Sequence, residues 1–377
     1  MDGYCALQSP LRSWQLANKK VFVRIDANVP LKDGVILDDY RLQAVRPTLD
    51  YILQHGGNIT LATHLGRPHT RDAALSTNII KQWLQQHGYD NRITVLENLR
   101  FSEKEYYHSD SYAKELARGM DYYIDDAFAS VHDDNASLTA LPEQFDAQHK
   151  GIGFLIEREL AALCTIKYHA KKPFVAILGG GKPEKKLAMI AGLIPRVTDI
   201  MLCPALATPF VQLMHPPLNP STPLRMSEEI HEARTILTLA QQHGVTIHVP
   251  QDYLVKTGSW DGNLTYKIAS AITADDTMIA IGPKTVALWA PIIKQAQTIF
   301  FNGPMGYLEQ PETVRELQAV LQVITQSNAM SVVGGGNSHA ALQFFGLADK
   351  ISFCSTGGGA TLAYLADQDL PALDALL

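Results

Sequence analysis

Cysteine is scarce in this sequence and scattered. Cys5, Cys164, Cys203 and Cys354 are the only four in 377 residues, with no C-x-x-C pair among them. That usage suits neither a disulfide framework nor a zinc site, and it predicts the reduced thiols of a cytosolic protein. Long apolar runs are missing too. No stretch approaches the ~18 apolar residues that a membrane span requires. The first twenty residues hold no continuous apolar segment of signal-peptide length. Nor is there an excess of positive charge: 32 Lys and Arg against 38 Asp and Glu leave −6. A general nucleic-acid binder would carry a basic surface instead. The expectation is a cytoplasmic protein that partners neither membrane nor nucleic acid.

What is present is an ordinary globular composition, 46% hydrophobic and 19% charged. The length exceeds what one hydrophobic core usually supports, so two domains are expected. Short β-rich apolar runs recur at Val21–Ile25, Ile59–Ala62, Ile93–Leu96, Tyr122–Ile124, Phe174–Leu178, Thr246–Val249, Thr298–Phe301 and Met330–Val333. Amphipathic stretches lie between them. Leu42–Gln54 is ended by Gly56, and Glu228–Gln242 is preceded by Ser227 as N-cap and ended by Gly244. Strands alternating with helices predict an α/β protein of two doubly wound, Rossmann-like parallel-sheet domains. Glu157–Ala170 reads as one helix running into the break Lys171–Lys172–Pro173. The expected division is 1–155 for a first domain, 156–172 for a connecting helix and hinge beside a cleft, and 173–360 for a second domain. Residues 361–377 form a tail expected to pack back on the first domain. There is no short-period repeat and no low-complexity segment.

In open parallel sheets ligands bind beyond the carboxyl ends of the strands. At those places the first half carries Arg24, Asp26 and Asn28, then His64 and Arg67, then Arg100, then Asp125, Asp126 and His132. Guanidinium groups suit phosphate and carboxylate because they donate in pairs. Each residue alone reads most simply as a surface charge; the set, all at one sheet edge, reads as a small-anion site. The second half has glycines in the same places: Gly179–Lys182, Asn302–Gly306, Gly334–Ser338 and Thr356–Gly359. Glycine lets backbone N–H groups approach phosphate closely, and a helix starting there adds a favourable dipole. None of these loops is a G-x-x-x-x-G-K-[ST] loop. A basic half and a glycine-loop half suggest phosphoryl transfer with closure around the reactants. The histidines other than His64 and His132 show no metal-ligand spacing.

RIDANVP (24–30), THLGRP (63–68), ENLRF (97–101), DDAF (125–128), PFVAILGGGK (173–182), IGPKT (281–285), FNGPMG (301–306), VGGGNS (333–338) and STGGGA (355–360) together resemble phosphoglycerate kinase, in the family's order and across nearly the whole chain. The resemblance implies reversible phosphoryl transfer between 1,3-bisphosphoglycerate and ADP, giving 3-phosphoglycerate and ATP, by a monomer using Mg2+ carried on the nucleotide. It implies a substrate site of Asp26, Ala27, Asn28, Arg41, His64, Leu65, Gly66, Arg67 and Arg100, with Asp133 beside them. Arg41, Lys182, Gly335 and Gly336 match the catalytic positions. Gly180, Gly181, Lys186, Met278, Asn302, Glu309, Gly334, Gly335, Gly336, Asn337 and Ser338 match the nucleotide side, with Glu309 on the ribose and Asn337 at the metal.

Four departures from the family pattern bear on activity. Asp133 stands where the family carries arginine, which should weaken binding of a doubly charged phosphate. Asn337 replaces the metal-binding aspartate, Cys203–Pro204–Ala205 replaces a triple glycine along the adenine groove, and Met278 replaces a glycine near the nucleotide. An alternative reading is therefore a degenerate member that binds ligand or partner with little turnover. Retention of Arg41, Lys182 and Lys186 favours an active enzyme. A kinase for another acceptor would share the nucleotide half without needing Asp26, Asn28, His64, Arg67 and Arg100 together. A purely structural protein would need an exposed apolar patch.

Overall fold

Apolar runs too short for helices, each followed by an amphipathic stretch, build two parallel sheets flanked by helices. The structure, a computed structural model, describes residues 3–68, 70–180, 183–214, 228–258, 262–273, 275–303 and 305–377. It divides into two units, Met1–Cys164 with Asp369–Leu377, and Thr165–Gln368.

In the first unit the chain runs β1 (Lys20–Ile25), a hairpin of β2 (Leu31–Lys32) and β3 (Val35–Ile36), α1 (Tyr40–Gln54), β4 (Asn58–Ala62), α2 (Asn78–Gln86), β5 (Ile93–Val95), α3 (Asp110–Ala117), β6 (Tyr122–Asp126), β7 (Lys150–Ile152) and α4 (Phe154–Tyr168). The hairpin turns on Asp33 and Gly34, both at positive φ, as a two-residue turn of this kind demands. The main sheet has the order β5-β4-β1-β6-β7 with every pair parallel. β1 is central, with Val23 opposite Leu61 on one side and Ile124 on the other. Its Val21, Val23 and Ile25 pack with Val45, Leu49 and Ile52 of α1. Gly56 leaves α1 at φ +79, the left-handed exit its position predicts.

A buried carboxylate joins three elements of this unit. Asp126, at the end of β6, accepts from Thr48 Oγ1 of α1 at 2.6 Å and from Ile156 N in the first turn of α4 at 3.1 Å. Thr48 Oγ1 in turn accepts from Phe154 N. A Cβ at Gly153 would fall 2.2 Å from the Asp126 carboxyl carbon, so only glycine fits there. Burial raises the Asp126 carboxyl to about 7.

The second unit continues with β8 (Phe174–Leu178), α5 (Pro183–Leu193), β9 (Asp199–Leu202), α6 (Pro204–Met214), α7 (Glu228–His243), β10 (Thr246–His248), β11 (Asp252–Thr257), β12 (Leu264–Ile268), β13 (Asp276–Ile281), α8 (Pro283–Gln295), β14 (Thr298–Asn302), α9 (Arg315–Gln326), β15 (Met330–Gly334), α10 (Gly336–Phe344), β16 (Phe353–Ser355) and α11 (Gly359–Leu365). Its main sheet, also all parallel, has the order β10-β9-β8-β14-β15-β16. A separate antiparallel sheet, β12-β11-β13, was not anticipated. β12 is largely exposed, so it lacks the apolar run by which the other strands announce themselves. α7 ends where expected, with Gly244 at φ +67; Ser227, its expected N-cap, lies outside the described residues.

The helix expected over 157–170 spans Phe154–Tyr168, and the division between units falls inside it. The tail also divides: α11 stays with the second unit, while Asp369–Leu377, with α12 (Pro371–Asp374), belongs to the first. There Ala372 N donates to Val131 O and Lys150 Nζ to Ala375 O, and Tyr4 OH donates to Asp374. Among the described residues no helix is long and apolar enough to cross a membrane.

The expectation of four free thiols needs correction. Cys5 and Cys164 form a disulfide, and Cys203 and Cys354 remain thiols. The pair is 159 residues apart in sequence, so only the tertiary fold reveals it. The 3-10 turn Gly3–Ala6 that carries Cys5 buries no residue of its own. The bond is thus a main anchor of the amino-terminal segment, and it closes a long loop. Reduction should lower stability by roughly 2–4 kcal/mol and the melting temperature by several degrees. Calorimetry with and without a phosphine reductant checks this, and the C5S/C164S double variant should melt with the reduced protein.

Candidate active site

Both main sheets reverse strand order at one point, between β1 and β6 in the first unit and between β8 and β14 in the second. Crevices open at such points beyond the carboxyl ends of the strands, and the sequence-predicted residues gather at both.

In the first unit Asp26 leaves β1 at the switch. Its carboxylate accepts from Arg41 Nη1 at 2.8 Å, from Asn28 N at 2.9 Å and from Ser130 Oγ at 3.2 Å. Burial would raise its pKa, but the Arg41 charge and the Asn28 N–H outweigh burial and hold it well below the usual carboxylate range. Asn28 Oδ1 accepts from Gly66 N at 2.9 Å, linking the loops after β1 and β4. Gly66 sits at φ +63, and a Cβ there would meet Leu75 Cδ1 at 2.9 Å. Ala27 and Leu65 turn their side chains into the core, which leaves only their backbone for a ligand.

His64 is buried. Arg24 Nη2 lies 3.0 Å from its Nδ1. A guanidinium can only donate, so Nδ1 accepts and the proton is on Nε2. Burial lowers the His64 pKa to about 3. The ring is therefore a neutral donor. Arg100 is buried as well; its Nη1 donates to Gly66 O at 2.9 Å, and Nη2 lies 3.4 Å from Asp133 Oδ2. Its buried Nε has no partner. Arg67 is exposed. The structure thus brings Asp26, Asn28, Arg41, His64, Gly66, Arg100 and Asp133 to one edge. Asp125 and Asp126 serve the fold instead: Asp125 accepts from Ala127 N, and burial raises it to about 7.

Three participants were missed by sequence reasoning. Thr63 Oγ1 accepts from Ala27 N, and Ser137 and Glu105 bind one another behind Arg24. Glu105 stands in a polar run, EKEYY, that looks like surface; no local signal marks it as buried.

The second edge is lined by backbone. Gly179 N donates to Asn302 O, and a Cβ on Gly303, at φ +87, would fall 2.2 Å from Gly179 O. Gly335, at φ +96, also lies close to Gly358, where a Cβ would meet Cα at 3.1 Å. Asn302 Nδ2 ties these loops by donating to Gly358 O at 2.9 Å and Gly334 O at 3.3 Å. Lys186 Nζ donates to Gly179 O and lies 3.5 Å from Asn302 Oδ1; burial lowers its pKa. Gly303 N donates to Ser338 Oγ. Gly336 opens α10, with Asn337 exposed beside it. Gly180 is at this edge; Gly181 and Lys182 lie outside the described residues. Glu309 is exposed on the loop after β14. Met278 lies in β13 and packs against Tyr253, Val255 and Ile272.

The side chains of Cys203–Pro204–Ala205, where the family pattern has a triple glycine, go to different places. Cys203 points into the core, where burial raises its thiol to about 12, and Pro204 is buried at the start of α6. Only Ala205 is exposed. Elsewhere, His108, Asp110 and Glu143 bring ligand-type atoms within 4.8 Å of one another, all exposed, a grouping invisible in their spacing.

A cationic, side-chain-built edge in one doubly wound unit and a glycine-built edge in the other define an α/β phosphotransferase. The comparisons give the family. The model of phosphoglycerate kinase matches residues 11–90 and 85–368. The phosphoglycerate kinase of Bdellovibrio bacteriovorus is 34% identical over 97% of this chain and 96% of its own. That of Thermomicrobium roseum is 33% identical over 97% and 98%. Among solved structures, phosphoglycerate kinase from Pyrococcus horikoshii aligns with a TM-score of 0.82 at 28% identity, covering 97% of this chain and 98% of that one. The enzyme from Coxiella burnetii aligns at 0.79 and 29%, covering 97% of each. This chain belongs to the phosphoglycerate kinase family.

The His64 geometry carries a direct expectation. Its folded pKa of about 3 lies below the ordinary 6.5, so the unfolded chain takes up this proton first. His64 therefore withdraws stability as pH falls from about 6.5 toward 3. Nitrogen-15 NMR of the folded protein should show Nε2 protonated and Nδ1 bare, without titration, between pH 8 and 5. An imidazolium signal at pH 5.5 would contradict the assignment.

Proposed function

We propose that this chain transfers a phosphoryl group reversibly between 1,3-bisphosphoglycerate and ADP, yielding 3-phosphoglycerate and ATP. The observation that carries the reading is the first-unit edge, where Asp26 fixes Arg41 and Asn28 fixes the loop of Gly66 beside Arg100. Neutral His64 and the guanidinium groups suit a hydroxyl, a carboxylate and a phosphate on one small molecule. The acceptor carboxylate is already a nucleophile, so little covalent work is required. Arg41 and Lys182 are assigned the charge that develops on the transferring group. Asn302, Lys186, Ser338 and the backbone of Gly180, Gly334, Gly335 and Gly336 are assigned to nucleotide phosphates, and Glu309 to the ribose.

Magnesium belongs to the same proposal. Among the described residues of the second unit, no three carboxylates, histidines or thiolates come together as a metal site. Asn337 offers one neutral carbonyl oxygen. That donor fits an ion which arrives on the nucleotide's phosphates and takes a single protein ligand. When bound, the ion would neutralise phosphate charge. A cytoplasmic monomer is the setting the family suggests. In-line transfer away from water calls for closure of the enzyme on both substrates. Solution scattering should then show a smaller radius of gyration with 3-phosphoglycerate and nucleotide together than without them; an unchanged radius at saturation counts against closure.

The catalytic assignment is tested by steady-state kinetics in a coupled assay with 3-phosphoglycerate, ATP and magnesium. Lys182→Ala should lose on the order of 10²–10³ in kcat, as removal of one preorganised donor does. Arg100→Ala should chiefly raise KM for 3-phosphoglycerate, since it binds ground and transition states alike. A near-normal kcat in the lysine variant would reduce Lys182 to a screening charge. Wild-type protein without turnover would favour the degenerate, ligand-binding reading.

A further inference from the structure

Arg100 holds a charge largely out of solvent, and among the described residues the carboxylate paired with it is Asp133, at 3.4 Å. The two differ sharply in exposure: the Arg100 side chain is 7% accessible and that of Asp133 33%. The arginine is therefore enclosed, while the carboxylate is within reach of solvent and of an incoming anion. Gly66 O holds the Nη1 side, and burial lowers the Arg100 pKa while Asp133 opposes that effect. Other groups that face the pair are Arg24 and Arg67, whose charges reach Arg100, the buried Glu105 and His64, which the Arg100 charge reaches, Tyr106, whose ring lies 5.7 Å from the guanidinium carbon, and His132, whose Nε2 lies 3.9 Å from Asp133 Oδ1. Asp134 is engaged elsewhere, accepting from Thr139 Oγ1. An incoming phosphate that reaches the Nη2 face must displace Asp133 or share that face with it.

We propose that Asp133 is a specificity-determining counter-ion that competes with the substrate's distal phosphate for Arg100, and that binding therefore takes up a proton. A phosphate dianion and a carboxylate cannot both lie against one guanidinium without strong repulsion. The repulsion is relieved if one proton is held between the two acids, and a phosphate ester, whose second pKa is about 6, takes it readily. The step balances as one proton drawn from solvent for each substrate bound and returned on release, with no bond to phosphorus altered. The edge consequently favours the phosphate monoanion. This inference rests on the proposed substrate reading of the same site.

Calorimetric titration of the intact protein with 3-phosphoglycerate at pH 7, in buffers of different ionisation enthalpy, measures both affinity and proton uptake. The wild type should take up close to one proton, about the amount a phosphate with that pKa lacks at pH 7. Asp133→Asn should abolish the uptake and tighten binding several-fold, roughly three to ten times. Asp133→Ala should do the same by an independent removal, and unchanged melting temperatures exclude misfolding. His132→Gln should keep the uptake; its loss there would put the proton on His132 and overturn the proposal. Equal affinity and equal uptake in wild type and both Asp133 variants would overturn it while leaving the substrate reading intact. If wild type and variants alike fail to bind 3-phosphoglycerate, the substrate reading falls and this inference falls with it.

Discussion

A guanidinium with no access to water stands behind the first-unit edge. Arg24 is 0% exposed, and its charge cannot be shed by deprotonation. A buried ion persists only where hydrogen bonds and counter-charge surround it. Arg24 donates to Ser137 Oγ, to Ile25 O and to His64 Nδ1. Ser137 Oγ in turn donates to Glu105, whose pKa burial raises and the Arg24 charge opposes. Four chain segments that are distant in sequence must therefore converge for this one charge to be tolerated. Their convergence sets the tautomer of His64.

The two edges are built by different physics. The first uses side chains whose charges are pinned by carboxylates: Asp26 for Arg41 and Asp133 for Arg100. The second uses peptide groups brought close because side chains are absent, as the mutual approach of Gly179 and Gly303 shows. Pinned charges discriminate by geometry and net charge, and they respond to pH and salt. Backbone cradles have no charge to lose. A molecule whose distal end must be distinguished from similar acids suits the first kind; a polyphosphate common to many enzymes suits the second.

Much of this plan was legible in the sequence for definite reasons. Strands buried on both faces read as unbroken apolar runs, so β1, β4, β8, β14 and β15 could be placed almost to the residue. Residues just beyond them were candidate ligands by topology alone. The parts that stayed hidden depend on partners remote in sequence. Glu105 is buried only because Arg24 and Ser137 meet it, and Cys5 meets Cys164 only once the sheet has formed. Cys203 was placed along a groove by alignment, yet it turns into the core. β12, pairing with its neighbours while facing water, had no hydrophobic pattern to betray it.

The chain leaves the first unit once, inside α4, and re-enters it once, before Asp369. The second unit is thus a single uninterrupted insert. During ribosomal synthesis, which proceeds from the amino end, residues through Cys164 emerge well before the strip Asp369–Leu377 that packs beside Val131 and Lys150. The second unit has all of its own chain by Gln368. The later-made unit can thus finish folding first, while the earlier one waits on its last residues. A chain truncated near 368 would leave the second unit whole and the first without the strip that hydrogen-bonds Val131 and Lys150.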